Sequence, residues 1–390
     1  MTQKGANQGT IQEMNRSLIL NVLKKQGICS RAKIAELTGL QGATITYIVN
    51  DLINLGYIIE TGLIAGIKKR RSIGISLNNS IFRVIGIRLA RKYFSVGVFN
   101  LSGQLQNSEK VFIKDLSPNQ VINQITTCVK QQMKNRKHKF LAVGVGIPGP
   151  FISKNHHIAL MTGFPGWENI NITSVLETAF KIPVFIEHDA KAAALAQSWF
   201  ADDAEFSDIL VYVAAGAGVG AGIVSGQELF KGSLGTAGEI GHMSVCYDGL
   251  PCECGNSGCL EKYSSSAAFT ESLGQNIDFS TACSLVKQGN PTAVNEYKKA
   301  CTMLGIGIVN VINVFNPAII VIGDEMAHVD EEIMLNCVKK EVDSRIIHEI
   351  NEHLKIKISS IEKGSALVGA GVLAVNEVLK TPSEFSKKQS

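Results

Sequence analysis

The chain has 390 residues, 45% hydrophobic and 18% charged, with a formal net charge of +4. At roughly 150 residues per domain that length asks for two or three domains, and the apolar share excludes a natively unfolded chain. The charge is uneven: residues 1–75 carry ten Lys/Arg against four Asp/Glu, a surplus of six that leaves the remainder near −2. A basic N-terminal module that meets a polyanion, set on a nearly neutral body, is the reading this asymmetry supports. The opening MTQKGANQGTIQEMNRS lacks the apolar stretch of a secretory leader. No uninterrupted apolar run reaches the roughly 18–20 residues of a membrane span. A cytoplasmic protein with no membrane partner is expected.

Residues 1–78 read as a winged helix-turn-helix. Met14–Gln26 places Leu18, Ile19, Val22 and Leu23 at helical spacing. Ser30 is a good N-cap for a second helix through Leu37, Gly39 ends it, and Gln41–Leu55 forms a third. Ala35, Leu37, Ile45, Ile48, Val49, Leu52 and Ile53 are expected to pack the crossed helices. Gln41, Thr44, Thr46, Tyr47 and Asn50 remain for the outer face of the third helix, where they suit base edges or phosphates in a major groove. Arg31 joins them as a candidate DNA contact. A strand at Tyr57–Glu60, a Gly-rich tip and a strand at Ser72–Leu77 make the wing. Its tip presents Lys68, Lys69, Arg70 and Arg71 for backbone charge neutralisation or minor-groove insertion. Double-stranded operator DNA is the expected partner.

From Phe82 the texture becomes α/β, with strand patterns at 82–89, 93–99, 141–147, 184–187, 209–214, 221–224 and 318–322 between helical stretches. Strand, tight turn, strand and Ser-Gly-Gln recur at Arg83–Gln104 and Ile209–Gln227, which suggests two copies of a βββαβα unit facing a cleft. The first lobe is expected over 79–190, completed by a C-terminal helix at 364–380, and the second over 191–363. The Ser/Lys-rich tail 381–390 reads as disordered.

The sharpest local signal is EIGHMSVCYDGLPCECGNSGCLE. Cys252, Cys254 and Cys259 form C-x-C-x₄-C, with His242 ten residues upstream. One imidazole and three thiolates complete a closed tetrahedral zinc site, and four protein ligands leave no open position, so one structural Zn²⁺ per chain is expected.

These residues together resemble the ROK family, specifically its xylose-repressor and N-acetylglucosamine-repressor branch. The resemblance rests on the winged helix, GIPGP at 146–150, GFPGWENI at 163–170 and EHDAKAAALA at 187–196. It continues through Glu239-x-Gly-His242, the cysteine loop and NPAIIVIGD at 316–324. It implies a two-lobed, actin-like, hexokinase-type α/β fold, a homodimer or homotetramer, and a sugar or sugar phosphate effector between the lobes. It implies sugar contacts from Gly149, His188, Asp189, Glu239, His242 and Glu261. Asp189 matches the general base of the family's kinases, and His242 would serve metal and ligand with one ring nitrogen each. Where the kinases usually have asparagine, this chain has His188 and Gly163.

On the nucleotide side the resemblance breaks down. The Asp-x-Gly-x-Thr that helps position phosphate and Mg²⁺ in the kinases is replaced at GIRLARKY, with Arg88 in place of the aspartate. The turn Gly216–Gly220 has alanine where the kinases have threonine, and Gly323-Asp324 replaces paired glycines. The expectation is a sugar-responsive repressor of a carbohydrate-utilisation operon that uses no ATP or Mg²⁺ and performs no phosphoryl transfer. Asp189 would be a vestigial base position. The competing reading is an ATP-dependent sugar kinase with an added DNA-binding domain.

Overall fold

The computed structural model describes residues 8–65, 71–113, 116–149, 151–152, 157–158, 166–167, 170–200, 208–226, 228–275, 277–361 and 364–387. The chain opens with α1 (Gln8–Gln26), a short β1 (Cys29–Ser30), α2 (Arg31–Thr38), α3 (Gly42–Asn54) and the hairpin β2 (Ile58–Ala65) and β3 (Arg71–Leu77). Capping fixes the turn between α2 and α3. The Ser30 hydroxyl accepts from the Lys33 backbone N–H at 3.2 Å, and Gly39 stops α2 in the left-handed region at φ 70°. Ile34, Ile45, Ile48, Val49, Leu52 and Tyr57 are buried. Leu37, expected in that core, is 44% exposed and Leu18 is 39% exposed; Ile34 of α2 and Leu20 of α1 are buried instead, beside Ile19 and Leu23.

Two five-stranded sheets follow. The first uses β4 (Phe82–Leu89), β5 (Tyr93–Phe99), β6 (Leu105–Phe112), β7 (Lys139–Ile147) and, after the small pair β8 (Phe151–Ile152) and β9 (His157–Ile158), β10 (Val184–His188). Helices α4 (Pro118–Met133) and α5 (Ile172–Phe180) connect them, and α6 (Asp189–Phe200) leaves β10. The second sheet uses β11 (Ile209–Ala215), β12 (Val219–Ser225), β13 (Glu228–Leu229), β14 (Ile319–Gly323) and β15 (Lys355–Ile358). Between them lie α7 (Glu261–Ser264), α8 (Ser266–Ser272), α9 (Phe279–Lys287), α10 (Pro291–Phe315), α11 (Glu331–Arg345) and α12 (His348–His353). Helices α13 (Ser365–Lys380) and α14 (Pro382–Lys387) close the chain.

The sheet orders are β6-β5-β4-β7-β10 and β13-β12-β11-β14-β15. In each, two antiparallel pairs come first and two parallel additions follow, so the two units share one topology. The C-terminal ends of the parallel strands in both sheets point to one crevice, the usual ligand position of open α/β sheets. Helix α10 is long and apolar enough, by length and composition, to cross a bilayer. Tyr297, Leu304, Ile308 and Ile312 instead bury its apolar side in the core of the second lobe.

Helices α6 and α13 pack between the two sheets at backbone contact. α6 touches β10 as well as β11 and β12, so the boundary expected at residue 190 falls inside a helix that both lobes share. Small residues make that approach possible. A Cβ on Gly369 would collide with the Ala192 carbonyl, one on Gly144 with the Ala370 carbonyl, and one on Gly222 would lie 2.5 Å from both the Ala190 carbonyl and the Ala194 methyl. The tail after Thr381, expected to be disordered, instead forms α14, and Phe385 is buried against the body. Tyr57 donates its hydroxyl to the Pro382 carbonyl at 3.0 Å, which gives the polar tail a buried partner that composition does not reveal.

Gly369→Ala is expected to cost about 3 kcal/mol or more, since neither backbone can yield without parting two helices. Urea unfolding of the full chain measures this; a midpoint unchanged from the parent would show that α6 and α13 are not in the contact described.

Candidate effector cleft, metal loop and nucleic-acid interface

The crevice between the lobes encloses about 410 Å³. From the first lobe come Arg88 at the end of β4, Arg91 and Lys92 in the next turn, Gly149 after β7, His188 at the end of β10 and Asp189 at the start of α6. From the second come Ala217, Gly218 and Gly220 of the β11–β12 turn, Glu239, His242, Glu261 and, after β14, Asp324 and Glu325. The six residues singled out for a sugar (Gly149, His188, Asp189, Glu239, His242 and Glu261) thus line one cavity. Gly149 has φ 80°, where a side chain would be strained. Gly163 lies outside the described residues.

Polar atoms on this wall lack partners among the described residues. His188 Nδ1 and Glu239 Oε1 are buried without a hydrogen bond. Buried polar atoms left unpaired are costly, so such pairs of orphans mark where a hydroxylated ligand would bind. Asp189 Oδ1 lies 3.4 Å from His188 Nε2, and its Oδ2 lies 3.8 Å from Arg88 Nη2. Glycines at and just after the β11–β12 turn are closely approached: a Cβ on Gly220 would stand 3.1 Å from the His188 ring, and one on Gly218 3.3 Å from Glu261 Oε2.

A buried lysine braces Glu239. Lys191, fully buried on α6, donates to the Gly235 carbonyl in the loop that leads to Glu239. Glu187 sits 3.9 Å from Lys191 and 2.9 Å from Lys231 of that loop. Burial draws the Lys191 ammonium below its ordinary pKa, with Glu187 and Glu239 opposing. Sequence reasoning missed this residue; the signal was a lone lysine in the alanine-rich EHDAKAAALA.

Two of the three substitutions expected to disable nucleotide binding, Arg88 and Asp324, meet each other. Arg88 Nη2 bonds Asp324 Oδ2 at 2.8 Å, across the cleft and across 236 residues of sequence. Burial opposes the Arg88 charge, but Asp324, Tyr93 and Asp189 outweigh it and raise its pKa. Asp324 holds φ 69°, a left-handed backbone that glycine favours and Asp tolerates. The guanidinium therefore occupies the end of the cleft between β4 and β14.

The metal loop hangs beside this wall. One ligand atom from each of His242, Cys252, Cys254 and Cys259 lies within 4.8 Å of the other three. Cys252 Sγ is 3.7 Å from His242 Nδ1, and Cys254 Sγ is 3.8 Å from Cys259 Sγ. A tetrahedral ion with Zn–S bonds of about 2.3 Å has edges of about 3.8 Å, so the donor set fits a metal ion of this type. Gly255 at φ 93° and Gly258 at φ 69° fold the loop back, and a Cβ on Gly258 would strike the Cys246 carbonyl. Burial pushes the Cys252 thiol up to about 12, so a metal must displace its proton on binding. Glu261 Oε1 lies 3.5 Å from His242 Nδ1 and 3.6 Å from Cys252 Sγ, which joins the metal loop to the cleft wall.

On the winged helix, Gln41, Thr46, Tyr47 and Asn50 are exposed and Thr44 is half-buried. Tyr47 is 63% exposed, a large ring on an open helix face. Arg31 is held by Glu60 at 3.0 Å and Asn50 at 3.3 Å, so a phosphate would have to compete for it. Arg71 is exposed at the start of β3, whereas Lys68, Lys69 and Arg70 lie outside the described residues.

Arg88→Ala is expected to destabilise the fold by about 3 kcal/mol, because Asp324 is left as a part-buried charge without its partner. Adding Asp324→Gly should recover at least half of that loss. A double-mutant cycle by denaturant unfolding checks it, and strictly additive losses would show that the two side chains do not interact.

Comparison with known proteins agrees with this architecture. The ROK family model matches residues 84–377, and a winged helix-turn-helix DNA-binding model matches residues 15–59. A putative xylose repressor from Caldicellulosiruptor sp. is 28% identical over 397 residues, covering 96% of this chain and 99% of the relative. A ROK family transcriptional regulator, described as a homologue of the E. coli MLC protein, shares the fold over 97% of this chain and 99% of its own, with a TM-score of 0.82 at 24% identity. A ROK hexokinase from Thermus thermophilus covers 76% of this chain and 99% of its own, with a TM-score of 0.64 at 26% identity. An N-terminal winged helix-turn-helix followed by the two-lobed, actin-like sugar-kinase fold places this chain in the ROK family.

Proposed function

We propose that this protein is a sugar-responsive, DNA-binding transcriptional repressor of a carbohydrate-utilisation operon, whose effector sits between the lobes and is not phosphorylated there. The observation that carries the reading is the Arg88–Asp324 pair at the phosphate end of a cleft whose sugar end keeps Asp189, Glu239 and Glu261. Phosphoryl transfer is mostly electrostatic stabilisation of charge that spreads over phosphate oxygens near Mg²⁺. Arg88 presents a cation where that chemistry needs a carboxylate for the metal. Asp189 is left to accept a hydrogen bond from a sugar hydroxyl rather than to take its proton. The kinase reading thereby loses its phosphate site while the polyol site remains.

The winged helix supplies the output. Tyr47, Asn50, Thr46 and Gln41 would meet a major groove, with Thr44 at its margin, Arg31 and Arg71 beside it, and Lys68, Lys69 and Arg70 at the wing tip. A homodimer or homotetramer would set two recognition helices about one turn of DNA, roughly 34–36 Å, apart or a multiple of it. His242, Cys252, Cys254 and Cys259 would hold one structural Zn²⁺ per chain, and a cytoplasmic location suits both DNA and free thiolates. The relative named for xylose makes pentoses the first ligands to try, followed by hexoses, amino sugars and their phosphates.

A thermal-shift screen of the full chain against those sugars is expected to find one that raises Tm and changes affinity for a DNA duplex, selected in vitro with the same chain, at least tenfold. Asp189→Asn should abolish the sugar shift and leave DNA binding intact. Tyr47→Ala and Asn50→Ala should each weaken DNA binding about tenfold and leave the sugar shift intact. ATP-dependent turnover of a sugar, lost in Asp189→Asn, would install the kinase in place of the sensor.

Elemental analysis should return one zinc per chain, lost in Cys259→Ser together with several degrees of Tm. Full retention of metal in that variant would move the site elsewhere.

A further inference from the structure

We propose that the C-terminal helices α13 and α14 are the element through which the cleft and the DNA-recognition helix α3 sense each other; the inference rests on the sensor reading above. At 16 residues α13 is a rod of about 24 Å. Its N-terminal end borders a smaller cavity beside the cleft: Gly364 and Ser365 line it together with Arg88, Asp189 and Asp324, which the cleft shares, and Ser365 bonds Gln197 of α6 at 3.0 Å. Its last turns pack on α1 of the winged helix. The apolar cluster that contains α13 also contains Ile45, Ile48 and Leu52 of α3, so effector body and DNA-binding module share one core.

Helix α14 then grips both sides. Phe385 is buried and faces Phe185 of β10 with ring centroids 6.5 Å apart, and β10 runs three residues further to His188 and then Asp189. On its other side the Pro382 carbonyl accepts from the fully buried Tyr57 hydroxyl, and the Ser383 N–H donates to Glu13 Oε2 at 3.5 Å. Glu13 holds Arg16 at 2.7 Å, and Arg16 reaches Asp51 of α3 at 2.6 Å. The path consists of one ring contact, two hydrogen bonds to α14 and two ion pairs, with the Ser383–Glu13 bond at 3.5 Å its longest polar link. A shift of β10 when the cleft changes shape therefore moves Phe385, and with it the Glu13–Arg16–Asp51 clamp on α3. Coupling of this kind is reciprocal, so DNA on α3 must also be felt at β10.

That reciprocity provides a test that needs no sugar. Amide hydrogen exchange is followed over residues 184–193 in the full-length protein, with and without the selected DNA duplex. DNA is expected to slow exchange there at least threefold in the parent and in Phe385→Leu, and to have no effect in Phe385→Ala or in Glu13→Gln. DNA affinity of all four proteins should stay within threefold of one another. Where a sugar from the thermal screen binds the parent, Phe385→Ala should still bind it, yet its DNA affinity should no longer respond. A purely structural staple would lower Tm in the variants and leave the protection of 184–193 intact. That outcome, or a parent without DNA-induced protection, overturns the proposal. Absence of any sugar binding defeats the sensor reading instead, and the exchange data still decide the transmission route.

Discussion

The ion pair between Arg88 and Asp324 is the constraint on which the rest of the molecule turns. It joins the end of β4 in one lobe to the end of β14 in the other, with Asp189 as a second, looser acceptor. A part-buried pair of this kind is a weak source of net stability, because desolvation offsets most of the Coulomb attraction. Its effect is geometric: each lobe now carries a charge that is satisfied only when the other is in place. Here a guanidinium spans the gap between those two strand ends, so the lobes are tied together by the protein's own residues.

Beside that bridge lie two walls that face each other across the cleft. The second-lobe wall is braced three ways: by the metal loop through His242 and Glu261, by Lys191 on the loop before Glu239, and by glycines pressed against His188 and Glu261. The first-lobe wall, at His188 and Asp189, is the junction of β10 and α6, and both continue into elements that contact the DNA-binding module or its C-terminal strap. A ligand that satisfies His188 Nδ1 and Glu239 Oε1 together would tie the two walls to each other. It can shift the molecule only by the difference in its affinity for the two wall spacings. Two orphaned buried atoms, each worth on the order of 1–3 kcal/mol when satisfied, are enough for such a difference.

Much of this was legible in the sequence because it is local. The zinc-type loop is written in eighteen residues with its own glycines, the α2–α3 turn in Ser30 and Gly39, and the repeated sheet unit in periodicity and a recurring Ser-Gly-Gln. What was not legible is what depends on residues far apart. Arg88 and Asp324 each stood out as a departure from the kinases, yet nothing in a linear reading says that two losses are one gain. Leu37 fits a helical apolar stripe, but whether it or Ile34 faces α3 depends on a rotation that tertiary packing decides. The edge strands β6 and β15 escaped because an exposed edge such as LQNSEKVF lacks alternation strong enough to separate it from a loop. The tail is the plainest case: Pro-Ser-Glu-Phe-Ser-Lys has the composition of a disordered end, and only the buried Tyr57 hydroxyl, 325 residues away, gives it somewhere to dock.

That tail also answers a question the rest of the fold raises. A winged helix that shares its core with α13 cannot swing freely, so a large rotation of the module on a flexible linker is not available as an output. Small displacements are. On the route proposed above, a shift at Asp51 would tilt α3, and the same tilt in a second copy of the chain would change the match to two half-sites at once. Base-edge hydrogen bonds weaken steeply with misalignment, so a tilt that strains one contact per half-site is enough to move DNA affinity by one or two orders of magnitude. A stiff path with small travel is thus sufficient for regulation, and the closely packed glycines of α13 keep that path stiff.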